Sequence, residues 1–169
     1  MTALASDELP SSLAGLPEAA ARHLMLAGLA YSQDRIAEQH LAEASRIAPS
    51  HLAVLVGQYR YLFYKGRLGE ALAQLRVCMT EAAQQGNLPA DWRVAQPSDA
   101  AFGDFGALWA RFYMFALKAY GYIHLRLGLQ EEGRIALQKV MELDPTDKVG
   151  AQVLLDVLER QGRDDYDDE

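Results

Sequence analysis

Residues 114–147, MFALKAYGYIHLRLGLQEEGRIALQKVMELDPTD, hold the sequence pattern that decides the fold. Apolar residues recur at three- and four-residue spacing on both sides of Gly128, as is typical of two amphipathic helices joined by a tight turn. Gly128 is suited to the end of the first helix, because glycine adopts the left-handed conformation without strain. Pro145 ends the second helix, since proline cannot continue one. The stretch therefore predicts a helical hairpin.

The same alternation of helix and short turn extends through most of the chain. Pro49, Gly66 and Gly86 interrupt the helical periodicity, and Asp34 and Ser50 are predicted to cap the helices that follow them. No segment has a two-residue apolar period, so no strand is predicted. The predicted helices cover residues 18–31, 35–47, 51–65, 68–85, 107–127, 130–143 and 147–161. The sequence thus predicts an all-α fold of about seven helices.

Three of these helix pairs resemble the tetratricopeptide repeat family. In residues 107–147, Gly121 matches the small residue at which the second helix approaches the first, and Leu143-Asp144-Pro145 matches the usual terminator. Gly133 differs from the family, which typically has alanine there. The matching positions of the second pair, residues 51–86, are Leu55, Leu62, Gly66, Leu68, Ala71, Leu72 and Leu75. Those of the first pair, residues 18–50, are Leu24, Gly28, Tyr31, Ala37, Leu41, Ala44 and Pro49.

The resemblance implies a right-handed superhelix in which each helix pair covers the open apolar face of its neighbour. It covers residues 18–161, with residues 147–161 as a capping helix and residues 87–106 as an insertion. In the family the first helices of the pairs line a concave groove that binds peptides. Residues 1–17 are predicted to be a flexible N-terminal segment, and residues 162–169 an acidic tail that is disordered by default.

Composition excludes several classes of function. The net charge of −7 argues against general nucleic-acid binding. The chain has a single cysteine, Cys78, which cannot form an internal disulfide and is expected to be buried. We find no signal peptide and no apolar run long enough to span a membrane, which favours a cytoplasmic protein. No metal, cofactor or catalytic site is predicted, because no such motif is present and the four histidines, His23, His40, His51 and His124, lie far apart in sequence.

Charge placement gives the clearest functional signal. Residues 44–69 and 105–130 contain no acidic residue, although the chain as a whole is acidic. Their basic residues are Arg46, Arg60, Lys65, Arg67, Arg111, Lys118 and Arg126. Because these stretches contain the first helices of the second and third pairs, the resemblance predicts a basic groove that holds carboxylates by charge-assisted hydrogen bonds. The alternative is that the basic side chains are simply solvated and the aromatic ones belong to the core.

The predicted binding residues follow from the family's groove positions and from the insertion. They are Arg60, Phe63, Tyr64, Phe115, Lys118, Tyr122, Arg126 and Trp92. The expected function is that of an adaptor or chaperone-like protein that binds a protein or peptide segment, but the lysine and asparagine pattern of the chaperone-adaptor clamp is not reproduced. The alternative is a structural homo-oligomer, such as a homodimer, that uses the aromatic fifth helix and the insertion as its interface. The acidic tail is expected either to compete for the groove or only to aid solubility.

Overall fold

The structure, a computed structural model, describes residues 14–104 and 106–167, and it describes side chains as far as residue 163. Most of the predicted N-terminal segment, Phe105 of the insertion and the last two residues of the acidic tail therefore lie outside the described residues. The chain divides into two compact units, Met1–Cys78 and Met79–Glu169, with the boundary inside a helix. We call them unit 1 and unit 2.

The part of the chain that the structure describes is all-helical, as predicted, with seven α-helices and no strand. The helices are α1 (Glu18–Leu29), α2 (Asp34–Ile47), α3 (Leu52–Tyr64), α4 (Leu68–Gly86), α5 (Leu108–Arg126), α6 (Gln130–Leu143) and α7 (Gln152–Asp167). Two short 3-10 turns, Trp92–Val94 and Pro97–Asp99, lie between α4 and α5. Among the described helices, none is long and apolar enough to cross a membrane.

In unit 1, the helices α1 and α2 pack side by side and α3 packs against both. The core of this packing includes Ala27, Ala37, Leu41 and Tyr61. Alanine at 27 and 37 lets the helix axes approach closely, since its side chain adds little bulk. The first helical pair predicted from the sequence is thus present as α1 and α2.

Glycine ends two helices by the same hydrogen-bonding motif. At the end of α3, Gly66 has a φ of 72° and its N–H donates to Phe63 O at 3.0 Å, while Arg67 N donates to Leu62 O at 3.0 Å. At the end of α5, Gly128 has a φ of 80° and Leu129 N donates to His124 O at 2.8 Å. Both are Schellman motifs, in which a left-handed residue satisfies the last helical carbonyls. The predicted helix ends at Gly66 and Gly128 are confirmed.

The helix starts differ from the predicted N-caps. His51, not Ser50, caps α3, because its Nδ1 accepts from Ala53 N at 3.1 Å. The other ring nitrogen, Nε2, lies 2.8 Å from Ala14 O and is therefore the protonated one. Asp34 is the first residue of α2 instead of its N-cap, and its carboxylate pairs with Lys65 at 2.7 Å. Both residues also contact a partner that is distant in sequence, Ala14 for His51 and Lys65 for Asp34.

In unit 2, α5 and α6 form a tightly packed hairpin, and α6 also packs against α7. A Cβ added to Gly121 would lie 2.9 Å from Leu137 Cγ and 3.2 Å from Gly133 O, so the predicted close contact at Gly121 is confirmed. A Cβ added to Gly133 would lie 2.5 Å from Leu125 Cδ2 and 2.9 Å from Gly121 O. The glycine at 133, which differs from the resembled family, is therefore required by the approach of the two backbones.

The prediction for the last helix was wrong at both ends. The helix α7 begins at Gln152, and not at residue 147, because Asp147 has a φ of 53° and Gly150 a φ of 76°. These left-handed residues form a turn in which the Asp147 carboxylate accepts from Ala151 N at 2.6 Å and from Gln152 N at 3.1 Å. The helix then continues past Gly162 to Asp167, so the described part of the acidic tail is helical.

The insertion between α4 and α5 is packed within unit 2. Leu88, Trp92, Ala95 and Phe102 are buried. The carbonyl oxygens of the insertion are held by lysines of later elements: Lys139 Nζ donates to Ala95 O at 3.0 Å, and Lys148 Nζ donates to Gly103 O. The loop is thus fixed both by apolar burial and by hydrogen bonds to its backbone.

Candidate binding cleft

An open cleft lies between the helices of unit 1 and has a volume of about 400 Å³. Its walls come from α1, from α3 and from Leu41 of α2. Two of the three predicted binding residues of α3, Arg60 and Tyr64, line it together with Ala53 and Val56. The third, Phe63, instead packs against Tyr59 and Tyr64, with ring centroids 5.8 Å away in each case. The cleft therefore brings together two of the three predicted binding residues of α3.

Small residues form the floor of the cleft. Ala27 and Gly28 come from α1, and Ala53 and Gly57 from α3. A Cβ added to Gly57 would lie 3.2 Å from Leu24 Cδ2, so glycine there permits the approach of the two helices. A Cβ added to Gly28 would have no atom within 4 Å, so this position faces open space. The residues from α1 were not predicted as binding residues, although the helical spacing of Leu24, Gly28 and Tyr31 places them on one face.

Aromatic side chains and one guanidinium group form the rim of the cleft. Tyr31 and Tyr64 are exposed, whereas Tyr61 is buried. The rings of Tyr31 and Tyr61 meet edge to face, with centroids 6.1 Å apart. Burial, together with the nearby Glu38 and Asp34 carboxylates, raises the pKa of the Tyr61 hydroxyl. Arg60 is half-buried and is the charged residue among those described as lining the cleft. The cleft thus presents apolar and aromatic surface with a cation at one side.

The other basic residues of residues 44–69 have acidic partners within unit 1. Lys65 Nζ lies 2.7 Å from the Asp34 carboxylate, donates to Tyr31 O at 2.7 Å and lies 4.0 Å from the Tyr31 ring centroid. This hydrogen bond from Lys65 lowers the pKa of Asp34. Arg67 pairs with Glu70 and Glu38, which raise the pKa of its guanidinium group. The predicted basic surface is therefore reduced here, because α2 and the start of α4 supply carboxylates that neutralise it.

Arg46 follows the same rule at the end of α2. Its guanidinium group lies 3.0 Å from the Glu43 carboxylate, one turn earlier in the same helix. The hydrogen bond from Arg46 lowers the pKa of Glu43. Arg46 is also not among the residues that line the cleft. Arg46, Lys65 and Arg67 of this basic run thus form intramolecular ion pairs, and Arg60 lines the cleft.

The predicted binding residues of α5 lie in unit 2, and three of them belong to its core. Phe115, Lys118 and Tyr122 are only 5%, 3% and 7% exposed, respectively. The Lys118 ammonium donates to Val149 O in the turn before α7. Arg126 is exposed and donates to the Tyr122 hydroxyl at 3.2 Å. The prediction of a ligand-facing surface at 115, 118 and 122 therefore disagrees with the structure, in which these side chains stabilise unit 2.

Trp92 of the insertion is also a core residue. It is 5% exposed, and its ring packs edge to face against Tyr120 with centroids 5.7 Å apart. The Arg93 guanidinium lies 4.3 Å from the Trp92 ring centroid and pairs with Glu132, which also accepts from the Tyr120 hydroxyl at 2.9 Å. Trp92 thus packs from the insertion against α5, and its side chain is too buried to bind a partner.

Five of the six aromatic residues of α5 are buried. Phe112, Tyr113, Phe115, Tyr120 and Tyr122 are each at most 7% exposed. Burial raises the pKa of the Tyr113 hydroxyl to about 12. These five side chains are therefore core residues, and Trp109, which is half-buried, is the aromatic residue of α5 that stays available to the homo-oligomer alternative.

Comparison with known proteins identifies one related sequence. No protein-family model matches the chain, and no solved structure matches it. The chain is 43% identical over 123 residues to an uncharacterized 19.8 kDa protein in the nifW 5′ region of Azotobacter chroococcum mcd 1. This alignment covers 72% of the chain and 69% of the Azotobacter protein. The chain therefore belongs to the same protein family as the uncharacterized 19.8 kDa protein in the nifW 5′ region of Azotobacter chroococcum mcd 1.

Proposed function

We propose that the protein is a tetratricopeptide-like adaptor or chaperone-like protein that binds a segment of a partner protein in the cleft of unit 1. The observation that carries this proposal is the open apolar cleft of about 400 Å³ between α1 and α3. This volume is within the range of ligand-binding clefts, which extends from roughly 300 to 1,000 Å³. Two cleft residues of α3, Arg60 and Tyr64, are also among those that the family resemblance assigns to peptide binding.

The lining favours a ligand with aliphatic side chains and a carboxylate. Leu24, Leu41 and Val56 offer apolar surface on which an aliphatic side chain is stabilised by its removal from water. Tyr31 and Tyr64 offer rings at the rim, and tyrosine is enriched at protein interfaces. Arg60 can hold a carboxylate in a two-point hydrogen-bonded arrangement. These properties support a partially acidic protein segment and assign the protein no catalytic role.

Filling the cleft tests the proposal. In Gly28→Leu the new side chain is added at a residue that lines the cleft, and its Cβ is free of clashes because nothing lies within 4 Å of it. The matched control is Gly69→Leu in α4, where the added Cβ also has no atom within 4 Å and which is not among the residues that line this cleft. Both changes replace a helical glycine and are therefore expected to preserve folding.

The measurement compares capture of partners from native lysate by the parent protein and by the two variants. We expect one set of partners, identified by mass spectrometry, to be retained by the parent and by Gly69→Leu and lost from Gly28→Leu. Arg60→Gln is then expected to weaken the binding of acidic segments of these partners by about tenfold, as for the loss of one charge-assisted hydrogen bond. Equal capture by Gly28→Leu and Gly69→Leu would show that the cleft is not the binding site.

A further inference from the structure

Two histidines that are 17 residues apart in sequence meet between α1 and α2. His23 Nδ1 and His40 Nδ1 are 3.0 Å apart, and the two ring centroids are separated by 5.3 Å. Both side chains are half-buried, and neither residue lines the cleft. This pair was not predicted, because the spacing of 17 residues crosses the turn between α1 and α2, whose geometry sets the register of the two helices.

The contact joins two nitrogens that are chemically equivalent. A hydrogen bond between them requires one Nδ1 to carry a proton and the other to offer its lone pair. The same two atoms are suited to hold a metal ion in place of that proton. Zn–N bonds of about 2.0–2.1 Å at a tetrahedral angle place two nitrogen ligands roughly 3.3 Å apart. The two Nδ1 atoms are 3.0 Å apart, so they need to separate only slightly to reach this distance.

A carboxylate lies next to the histidine pair. Glu43 follows His40 by one helical turn on α2, and the pKa of its carboxyl is lowered mainly by Arg46 and in part by His23. A negative charge at this position attracts a cation, although Arg46 offsets part of the attraction by pairing with Glu43 at 3.0 Å. Within the described residues, no group of three or more histidines, cysteines and acids is placed to hold a metal ion. Any ion on the pair would therefore complete its coordination with water.

We propose that His23 and His40 form a two-imidazole site for a divalent transition-metal ion such as Ni²⁺ or Zn²⁺, which imidazole ligands favour. Both rings coordinate the ion through Nδ1, with water in the remaining positions. The ring that donates in the metal-free pair moves its proton from Nδ1 to Nε2, so binding releases no net proton. The site ties α1 to α2, and it is independent of the proposed peptide binding because it shares no residue with the cleft.

Calorimetric titration of tag-free protein with NiCl₂ and with ZnCl₂ near neutral pH tests the site. We expect a single saturable site in the parent protein and the loss of at least about tenfold in affinity in His23→Gln and in His40→Gln, because each removes one of two ligands. His51→Asn is the matched control, since it removes another histidine while asparagine still caps α3. Circular dichroism verifies that each variant folds.

A second measurement on the parent protein does not depend on the folding of the variants. With Cu²⁺ as the probe, electron paramagnetic resonance is expected to show two nitrogen ligands on the bound ion. Absence of binding by the parent protein, equal affinity in His40→Gln, or a signal from a single nitrogen would each overturn the proposal. Loss of affinity in His51→Asn alone would place the ion at a different histidine and would also overturn it.

Discussion

At the scale of single residues, only one side of the contact between Gly121 and Gly133 was predicted from the sequence. The family resemblance predicted a close approach at Gly121, and the structure confirms it. The same resemblance marked Gly133 as a departure, yet an added Cβ there would lie 2.9 Å from Gly121 O. The two glycines therefore form one contact, in which each residue makes room for the backbone of the other. A pattern that scores positions one at a time cannot detect this dependence.

We predict that Gly133→Ala destabilises the protein by about 1–3 kcal/mol, which is the usual cost of overpacking. The added methyl group would be 2.5 Å from Leu125 Cδ2, and one of its neighbours is a backbone oxygen that cannot move aside alone. Gly162→Ala in α7 is the control, because nothing lies within 4 Å of its added Cβ. It is expected to be neutral or to stabilise the helix by up to about 1 kcal/mol. Urea unfolding of both variants checks the prediction, and equal midpoints would contradict it.

At the scale of structural elements, periodicity together with glycine and proline punctuation predicted six of the seven described helices to within a few residues. The start of α7 was not predicted, because Asp147 was taken as helical and instead adopts a φ of 53°. The turn before α7 is built by side chains that bond to nearby amides, so its geometry depends on hydrogen bonds and not on apolar spacing. Asp144 is central to it: its Oδ1 accepts from Thr146 N at 3.1 Å, and its Oδ2 accepts from Lys148 N at 3.1 Å.

The stability that Asp144 provides is expected to depend on pH. Burial acts to raise the pKa of the Asp144 carboxyl, but hydrogen bonds from Thr146 and Lys148 outweigh it and lower the pKa below the usual 3.8. A carboxyl whose pKa is lower in the folded state stabilises the protein above its unfolded pKa, and this stabilisation is lost as the pH falls through the folded pKa. Asp144→Asn is therefore expected to cost about 1–3 kcal/mol at pH 7, since an amide group leaves donors unsatisfied.

The comparison of urea unfolding at about pH 7 and about pH 3 checks this prediction, because the pH range spans the usual carboxyl pKa. The difference between Asp144→Asn and the parent protein is expected to shrink at the lower pH, where protonation removes the advantage of the carboxylate. Asp156→Asn is the control, because Asp156 is exposed and accepts only from Gln152 Nε2 at 2.9 Å among the contacts described. A destabilisation by Asp144→Asn that is the same at both pH values would rule out the proposed role of its charge.

At the scale of the whole molecule, one wall of the cleft was predicted from the sequence, but the basic surface expected around it was not found. Residues Arg60 and Tyr64 of α3 line the cleft as expected, whereas the α1 wall carries no distinctive motif. The basic stretch of residues 44–69 was expected to form a basic surface, but Lys65 and Arg67 pair with acids of α2. Ion pairs between helices depend on which faces meet, and this information is not contained in the charge order along the chain. The same reason explains why Lys118 was assigned to a groove and is instead a core residue.

The single cysteine of the chain is expected to report on opening of the folded molecule. Cys78 is 1% exposed, and burial raises the pKa of its thiol to about 12. Because thiol reagents attack the thiolate, labelling of the native protein at about pH 8 is expected to be slow and to accelerate when urea unfolds the chain.

The control for this measurement moves the thiol by one residue. Val77 is 51% exposed, so a Val77→Cys, Cys78→Ala double variant presents the same group at the surface of α4. We expect it to be labelled at least about a hundredfold faster than the parent protein, since both its access and its thiolate fraction are larger. Similar labelling rates for the two proteins would mean that the α4 segment around Cys78 opens readily in the native state.

The reciprocal glycine contact also limits which mutations the gene can accept. Every amino acid other than glycine carries a Cβ, so no missense change in the codon for Gly121 or Gly133 leaves the contact as it is. A change in one codon cannot be compensated by a smaller residue in the other, because none exists. The separation of α5 and α6 is therefore constrained by these two codons, whereas the codons of exposed residues around them can accept substitutions.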